Sequence, residues 1–256
     1  NKDVIDIAGN FTVTGTIDGN GGDDEINIHN GATAKFTANM GEGKDILTVE
    51  NATLKDSFVN MDGGNDEINI NTGANLTNTR IYTGEGNNTV NVRGGTFSEA
   101  EIGLDKGKNE VNIESGAVFG DQDPSLFYGE HKTYIRSDHR ASQNSEDTIN
   151  VKAGATVKNA EIQTYGGEDT LNIDGTVKNS NIKLGSGNDT VSIGKNASIK
   201  DTSTIDGGAG FDTLKVADNS IDFSHVKNIE KLDMTNGEKT TLTLTAGNVQ
   251  DILRDS

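Results

Sequence analysis

The chain reads as an all-β protein, a right-handed parallel β-helix (β-solenoid) with three short strands per coil, on three observations. An acidic or amide anchor recurs about every 21 residues. A strict x-apolar-x-apolar pair follows each anchor, and glycine-loosened turns precede most of them. Repetition at a fixed period of this length is the signature of a solenoid, and period-two alternation in β-branched residues marks strands with one buried face.

Taken in order, the anchors are Asp3, Asp24, Asp45, Asp66, Asn88, Asn109, Asp147, Asp169, Asp189 and Asp212, with one long step of 38 residues after Asn109. The pairs behind them are Ile5/Ile7, Ile26/Ile28, Leu47/Val49, Ile68/Ile70, Val90/Val92, Val111/Ile113, Ile149/Val151, Leu171/Ile173, Val191/Ile193 and Leu214/Val216. A turn and a small residue then lead to a second strand, as in Gly73-Ala74-Asn75-Leu76 and Gly154-Ala155-Thr156-Val157. Corners follow at Lys55-Asp56, Lys158-Asn159, Lys178-Asn179 and Lys200-Asp201, where Asn and Asp tolerate the left-handed region. A third strand carries Ile81, Ile102, Ile162, Ile182 and Ile205 inward. Stacked coils bring equivalent residues about 4.8 Å apart, so each coil buries its apolar positions against its neighbours.

The long step holds an insertion at about 118–145. It carries the only proline, Pro124, and gathers aromatic and basic residues scarce elsewhere in the chain. Insertions of this kind emerge as loops on one side of a solenoid, where recognition concentrates. Tyr128, Tyr134, Arg136, His139 and Arg140 are the candidate ligand-binding residues, because tyrosine offers contact area at little entropy cost and arginine makes paired hydrogen bonds. The solenoid is expected over 1–216, with a C-terminal β cap and a short helix over 217–256. Strand-like alternation at Val226 to Met234 and Thr240 to Thr245, a turn at Thr235-Asn236-Gly237 and a helix from Ala246 to Arg254 make up that cap.

Composition narrows the chemistry. With 22 basic against 40 acidic side chains the net charge is −18, which speaks against nucleic acid and in favour of cations. The chain has no cysteine, so a metal site must be hard and oxygen-ligated. No apolar run reaches the roughly 20 residues that cross a bilayer, and Asn1 stands in mid-pattern with no leader, as in a slice of something longer. Four histidines, His29, His131, His139 and His225, are scattered and form no recognised catalytic spacing. An outward column of Asn27, Thr48, Asn69, Asn91, Asn112, Asn150, Asn172 and Ser192 is read as a solvated face or Asn ladder, since Glu25, Glu67 and Glu110 interrupt any flat Thr/Asn array.

The turns before the anchors carry the candidate metal chemistry. GxGxD occurs at Gly41 to Asp45, Gly185 to Asp189 and Gly208 to Asp212, with Gly207 before the last. Glycine lets carbonyls turn toward a cation while aspartate supplies charged oxygen, which suits calcium's need for six to eight hard ligands. Carboxylates stacked at about 4.8 Å repel by roughly 3 to 4 kcal/mol per pair at an effective dielectric near 20, and calcium between coils removes that repulsion.

These turns resemble the GGxGxDxUx repeats of RTX proteins, secreted proteins of Gram-negative bacteria, and Gly207, Gly208, Gly210 and Asp212 match that motif position by position. The resemblance implies calcium held by glycine carbonyls and aspartate carboxylates of successive turns, here at Asp24, Gly41, Gly43, Asp45, Gly64, Asp66, Asp169, Gly185, Gly187, Asp189, Gly207, Gly208, Gly210 and Asp212. RTX units repeat every nine residues and bind on both edges, whereas one edge recurs here at about 21. Asn88 and Asn109 replace the aspartate, so their region is the stretch expected to be ion-free, and the Asp147 turn, Gln143 to Glu146, has no glycine. The run from Phe223 to Asp233 resembles segments that follow such blocks in very large secreted bacterial adhesins.

The expectation is a non-catalytic, calcium-binding segment of a secreted or cell-surface bacterial adhesin, with a glycan or surface protein as partner, no nucleic acid and no membrane insertion. Two alternatives stay open: a carbohydrate-binding module or polysaccharide lyase/epimerase β-helix, and a surface-layer or fibre component. No column carries the Lys/Arg strip that would neutralise uronate carboxylates, which weighs against lyase chemistry.

Overall fold

The computed structural model describes residues 1–10, 12–121, 132–137, 145–217, 221–234 and 246–252. The chain winds into a parallel β-solenoid of about ten turns with almost no helix. One wall is an 11-stranded sheet running from Val4–Ala8 to Lys231–Asp233. Its register sets Ile26 on Leu47, Leu47 on Ile68, Ile68 on Val90 and Val90 on Val111, so the apolar pairs stack in columns. Every pair from Ile26/Ile28 to Leu214/Val216 is buried, and Ile7 is buried while Ile5 packs at the open end. Those columns are the core.

A second, 13-stranded sheet begins with two long strands, Thr12–Asp18 and Thr33–Asn39. Thr33–Asn39 pairs through its first half with Thr53–Lys55 and through its last residues with Phe58–Asn60. The split falls at Asp56, whose φ of 46° turns the chain between the two short strands. Asn78, Asn159, Asn179 and Asp201 repeat that corner at φ 44–56°, and amide or carboxyl side chains tolerate this region better than other non-glycine residues. Behind the corners Ser57, Ser180 and Ser203 are buried, their hydroxyls accepting the N–H of Phe36, Ala160 and Ser180. The remaining second strands form a 4-stranded sheet, Val118–Phe119 to Ser198–Lys200, and the Phe97 and Phe119 rings meet at 4.9 Å.

The stretch expected to be one inserted loop is not continuous. Val118–Phe119 is a strand of the 4-stranded sheet, and Thr133–Ser137 is a strand of the large second sheet, between Glu101–Leu104 and Ala160–Gln163. Ile135 takes the buried place between Ile102 and Ile162.

Past Val216 the parallel pairing continues: Val226–Lys227 pairs with Ile205 and Asp206, and Lys231–Asp233 with Thr213, Leu214 and Lys215. A helix spans Ala246–Ile252, and the Ile252 carbonyl accepts the Ile229 N–H at 2.9 Å. Thr235-Asn236-Gly237 and Thr240 to Thr245 lie outside the described residues. Among the described residues no helix is long and apolar enough to cross a membrane.

Candidate metal centre

Nine of the ten anchors, and only these, stand in one buried file along an edge of the first wall: Asp24, Asp45, Asp66, Asn88, Asn109, Asp147, Asp169, Asp189 and Asp212 are each at most 3% exposed, whereas Asp3 is exposed. A strand-leading residue placed inward has its N–H unpaired within its own coil, and the next coil's anchor supplies the acceptor. Asp24 N–H donates to Asp45 Oδ1 at 2.7 Å, Asp45 N–H to Asp66 Oδ1 at 2.8 Å, and Asp66 N–H to Asn88 Oδ1 at 2.8 Å. The ladder continues through Asn88, Asn109, Asp147, Asp169 and Asp189 to Asp212, whose own N–H donates to Glu230 Oε2 at 2.7 Å. One oxygen of every anchor in the file is thereby used, and the other decides the chemistry.

At Asp24, Asp45, Asp66, Asp169, Asp189 and Asp212 the second oxygen, Oδ2, is buried and has no hydrogen-bond partner. Burying a carboxylate oxygen without a donor or counter-charge is costly. The amide anchors disclose what that position faces. Asn88 Nδ2 donates to the carbonyl oxygens of Gly84 and Gly86 in its own turn, at 3.2 and 3.3 Å, and to Asn109 Oδ1 at 3.0 Å. Asn109 Nδ2 repeats this with Asp105 O at 2.8 Å and Asp147 Oδ1 at 3.0 Å. Each amide nitrogen thus sits in a nest of oxygens. An aspartate in the same place points Oδ2 into acceptors, a set that suits a positive charge.

Asp147 reaches a third solution. Its Oδ2 accepts hydrogen bonds from the Ser137 hydroxyl and, at 3.3 Å, from the Ser145 hydroxyl. The Asp147 carboxylate is therefore satisfied by hydroxyls of the chain itself.

Glycines build the nest. The position two before each anchor is Gly22, Gly43, Gly64, Gly86, Gly107, Gly167, Gly187 or Gly210, with φ of 129–156°, and Ser145 alone breaks the column. A Cβ on Gly64 would overlap the Gly43 carbonyl oxygen, and one on Gly187 the Gly167 carbonyl oxygen. Gly41, Gly185 and Gly208 sit four before their anchors, also at positive φ, the place whose carbonyl meets the amide nitrogen at Asn88. Gly207 lies one residue further back, where a Cβ would crowd the Asn228 carbonyl oxygen and Asp212 Oδ2. Its missing side chain leaves room beside that oxygen. Gly22, Gly86, Gly107 and Gly167 were not among the expected residues, although their spacing to the anchors is the same.

Burial raises the carboxyls of this file: Asp45 to about 6 and Asp66, Asp169 and Asp189 to about 7. The same desolvation raises Asp147 and Asp212. Outside the file the turns border an open groove of about 990 Å³ that Glu42, Asp62, Glu85 and Asp105 line with carboxylates. Among the described residues no three His, Asp or Glu side chains gather around one point. A cation between these turns would take most of its ligands from backbone carbonyls.

The ligand candidates separate. Tyr128, His139 and Arg140 lie outside the described residues. Tyr134 and Arg136 belong to the wall strand Thr133–Ser137. The Arg136 guanidinium stands 5.3 Å from the Tyr134 ring and its Nε donates to Glu101 Oε1 at 2.7 Å, while Tyr82 Oη donates to the same oxygen at 3.0 Å. On the first wall Asn91, Asn112, Asn150 and Asn172 each donate Nδ2 to the asparagine of the preceding coil, a ladder that begins at Asn69. His29 sits beside Asp6, and His225 Nδ1 is 2.8 Å from Ser203 O, far apart along the solenoid. No protein-family model matches the chain, and no curated protein matches it in sequence.

Proposed function

We propose that the protein is a non-catalytic solenoid segment whose aspartate turns bind calcium, and that it belongs to a secreted or cell-surface bacterial protein, an adhesin. The observation that carries the cation reading is the exchange of Asn88 Nδ2 for a carboxylate oxygen in the same nest. Where a donor is present the nest is complete, and where aspartate replaces it six buried Oδ2 atoms lack a partner. Calcium fits better than magnesium because it accepts irregular carbonyl-rich cages and sheds water readily. The extracellular setting rests on chemistry: millimolar calcium outside cells would fold such a chain only after export, and the absence of cysteine leaves calcium as the stiffening agent.

In the same reading the coils are right-handed, as steric twist favours for parallel crossovers. Three strands form a coil wherever a left-handed corner divides the second stretch, and the residues from 217 on close the end of the stack, with Ile252 buried against it.

Chelator-stripped protein dialysed against calcium or magnesium and then analysed for bound metal tests the cation reading. Calcium retained in several equivalents with little magnesium is expected, and no calcium above the buffer background overturns it. Release of oligosaccharide from uronate polymers would overturn the non-catalytic part alone.

A further inference from the structure

Resting on the cation reading above, we infer that the ions form two separate arrays divided by a metal-independent block of coils. One array lies at Asp24, Asp45 and Asp66, the other at Asp169, Asp189 and Asp212. The dividing block is Asn88, Asn109 and Asp147.

The division follows from which Oδ2 or Nδ2 atoms have partners. The six aspartates with an unpartnered, buried Oδ2 fall three on each side. Between them Asn88 and Asn109 place amide nitrogens in the nests, and Asp147 is held by two serine hydroxyls. A cation next to the Asn88 or Asn109 nitrogen would meet N–H groups in place of oxygen. Within an array each carboxylate reaches its neighbour through the ladder, so a site filled in one coil fixes the oxygen of the next. Across the dividing block no such chain of vacant oxygens exists.

The middle coils carry their own substitutes for an ion. The Phe97 and Phe119 rings pack at 4.9 Å in the core beneath them, and the asparagine ladder crosses their outer face at Asn91, Asn112 and Asn150. Asp121, fully buried, accepts the Thr133 N–H at 2.8 Å and the Glu99 N–H at 3.2 Å. That carboxylate ties the strand Thr133–Ser137 to the coil of Glu99. Solenoid coils are stabilised by nearest neighbours, so such a block can hold while others open.

Hydrogen exchange resolved by peptide, on the full chain in calcium and in chelator, tests this. At free calcium 100 times Kd, sites that open only without the ion exchange about 100-fold more slowly. We expect that slowing at Ile46–Val49, Glu67–Ile70, Thr190–Ile193 and Thr213–Val216, with a far smaller change at Glu110–Ile113 and Thr148–Val151. A calcium effect of equal size in all six strands overturns the two arrays and leaves the cation reading standing. No calcium effect in any strand overturns the cation reading beneath it. The variant Asn88→Asp/Asn109→Asp gives an independent check: the calcium effect should spread into Glu110–Ile113, and a variant that behaves as the parent in both conditions contradicts the dividing block.

Discussion

Asp66 and Asn88 occupy successive coils, the same backbone turn and the same ladder, yet one side chain is finished and the other is not. Asn88 donates to two carbonyls of its turn and to Asn109, whereas Asp66 points a buried oxygen where those donors would be. The exchange of one NH2 for one oxygen separates a coil completed by its own donor from a coil whose buried oxygen lacks one and, on the proposal above, takes up a cation. Asp147 shows that an aspartate is tolerated without that charge once hydroxyls are aimed at it. Whether the second atom of the anchor finds a donor is thus decided coil by coil, and on the calcium proposal ion dependence follows the same division.

The largest expected effect is calcium itself. A site held at 100 times its Kd contributes about 2.7 kcal/mol, so even two such sites raise Tm by roughly 10–20 °C in a chain of this size. Thermal melts in calcium, magnesium and chelator measure it, and three superimposed curves break the comparison at its base.

Next comes pH, in chelator. Folded carboxyls at about 6 (Asp45) and about 7 (Asp66, Asp169, Asp189) lie above the ordinary 3.8, so the folded state prefers the protonated form. Their contribution to stability is full below the unfolded value of 3.8 and is lost progressively as pH rises from there to about 6 for Asp45 and about 7 for the others. Tm in chelator should therefore fall across that window, while calcium-saturated protein should hold, because the ion replaces the proton. A fall of equal size in both conditions would place the sensitive groups elsewhere.

Gly187→Ala should cost about 3 kcal/mol or more, since the new Cβ meets the Gly167 carbonyl and the residue sits at φ 146°. Ser145→Ala, in the same column at the turn before Asp147, removes only one hydroxyl from Asp147 and should cost about 1–3 kcal/mol. Denaturant melts of the two variants sharpen the contrast, and equal costs would deny the glycine column its steric role.

The smallest and most discriminating effect is an exchange of anchors. Asp189→Asn should gain about 1–3 kcal/mol in chelator by giving its nest a donor, and should lose part of its calcium response. Asn88→Asp should do the reverse. Both variants moving the same way in chelator would contradict the equivalence of the two nests.

Much of this was legible in the sequence because a stacked fold repeats its requirements. Apolar pairs such as Leu47/Val49 stand out by alternation, and the Lys-Asn and Lys-Asp corners by residue type, and both appear where expected. The file of anchors was legible for the same reason. Ile135 was hidden, because its strand sits among aromatic and basic residues whose composition looks like a loop, although Ile102 and Ile162 on either side keep its column. The Ser137 hydroxyl and Glu230 escaped notice for another reason: each completes an anchor from a different part of the coil or with a different residue type, and no local motif reports a contact made through stacking. The partnerless Oδ2 atoms likewise belong to geometry: the sequence shows Ser145 where Asp66 has Gly64, but not that the Ser137 and Ser145 hydroxyls reach Asp147 Oδ2 while nothing reaches Asp66 Oδ2.

Diffraction from crystals grown in calcium, recorded at a wavelength where calcium scatters anomalously, tests the central claim most directly. The account predicts anomalous peaks in the nests beside Asp24, Asp45, Asp66, Asp169, Asp189 and Asp212, within about 2.3–2.6 Å of the carboxylate and carbonyl oxygens, and none beside Asn88, Asn109 or Asp147. Peaks of equal height at the amide anchors, or empty aspartate nests in saturating calcium, would contradict it.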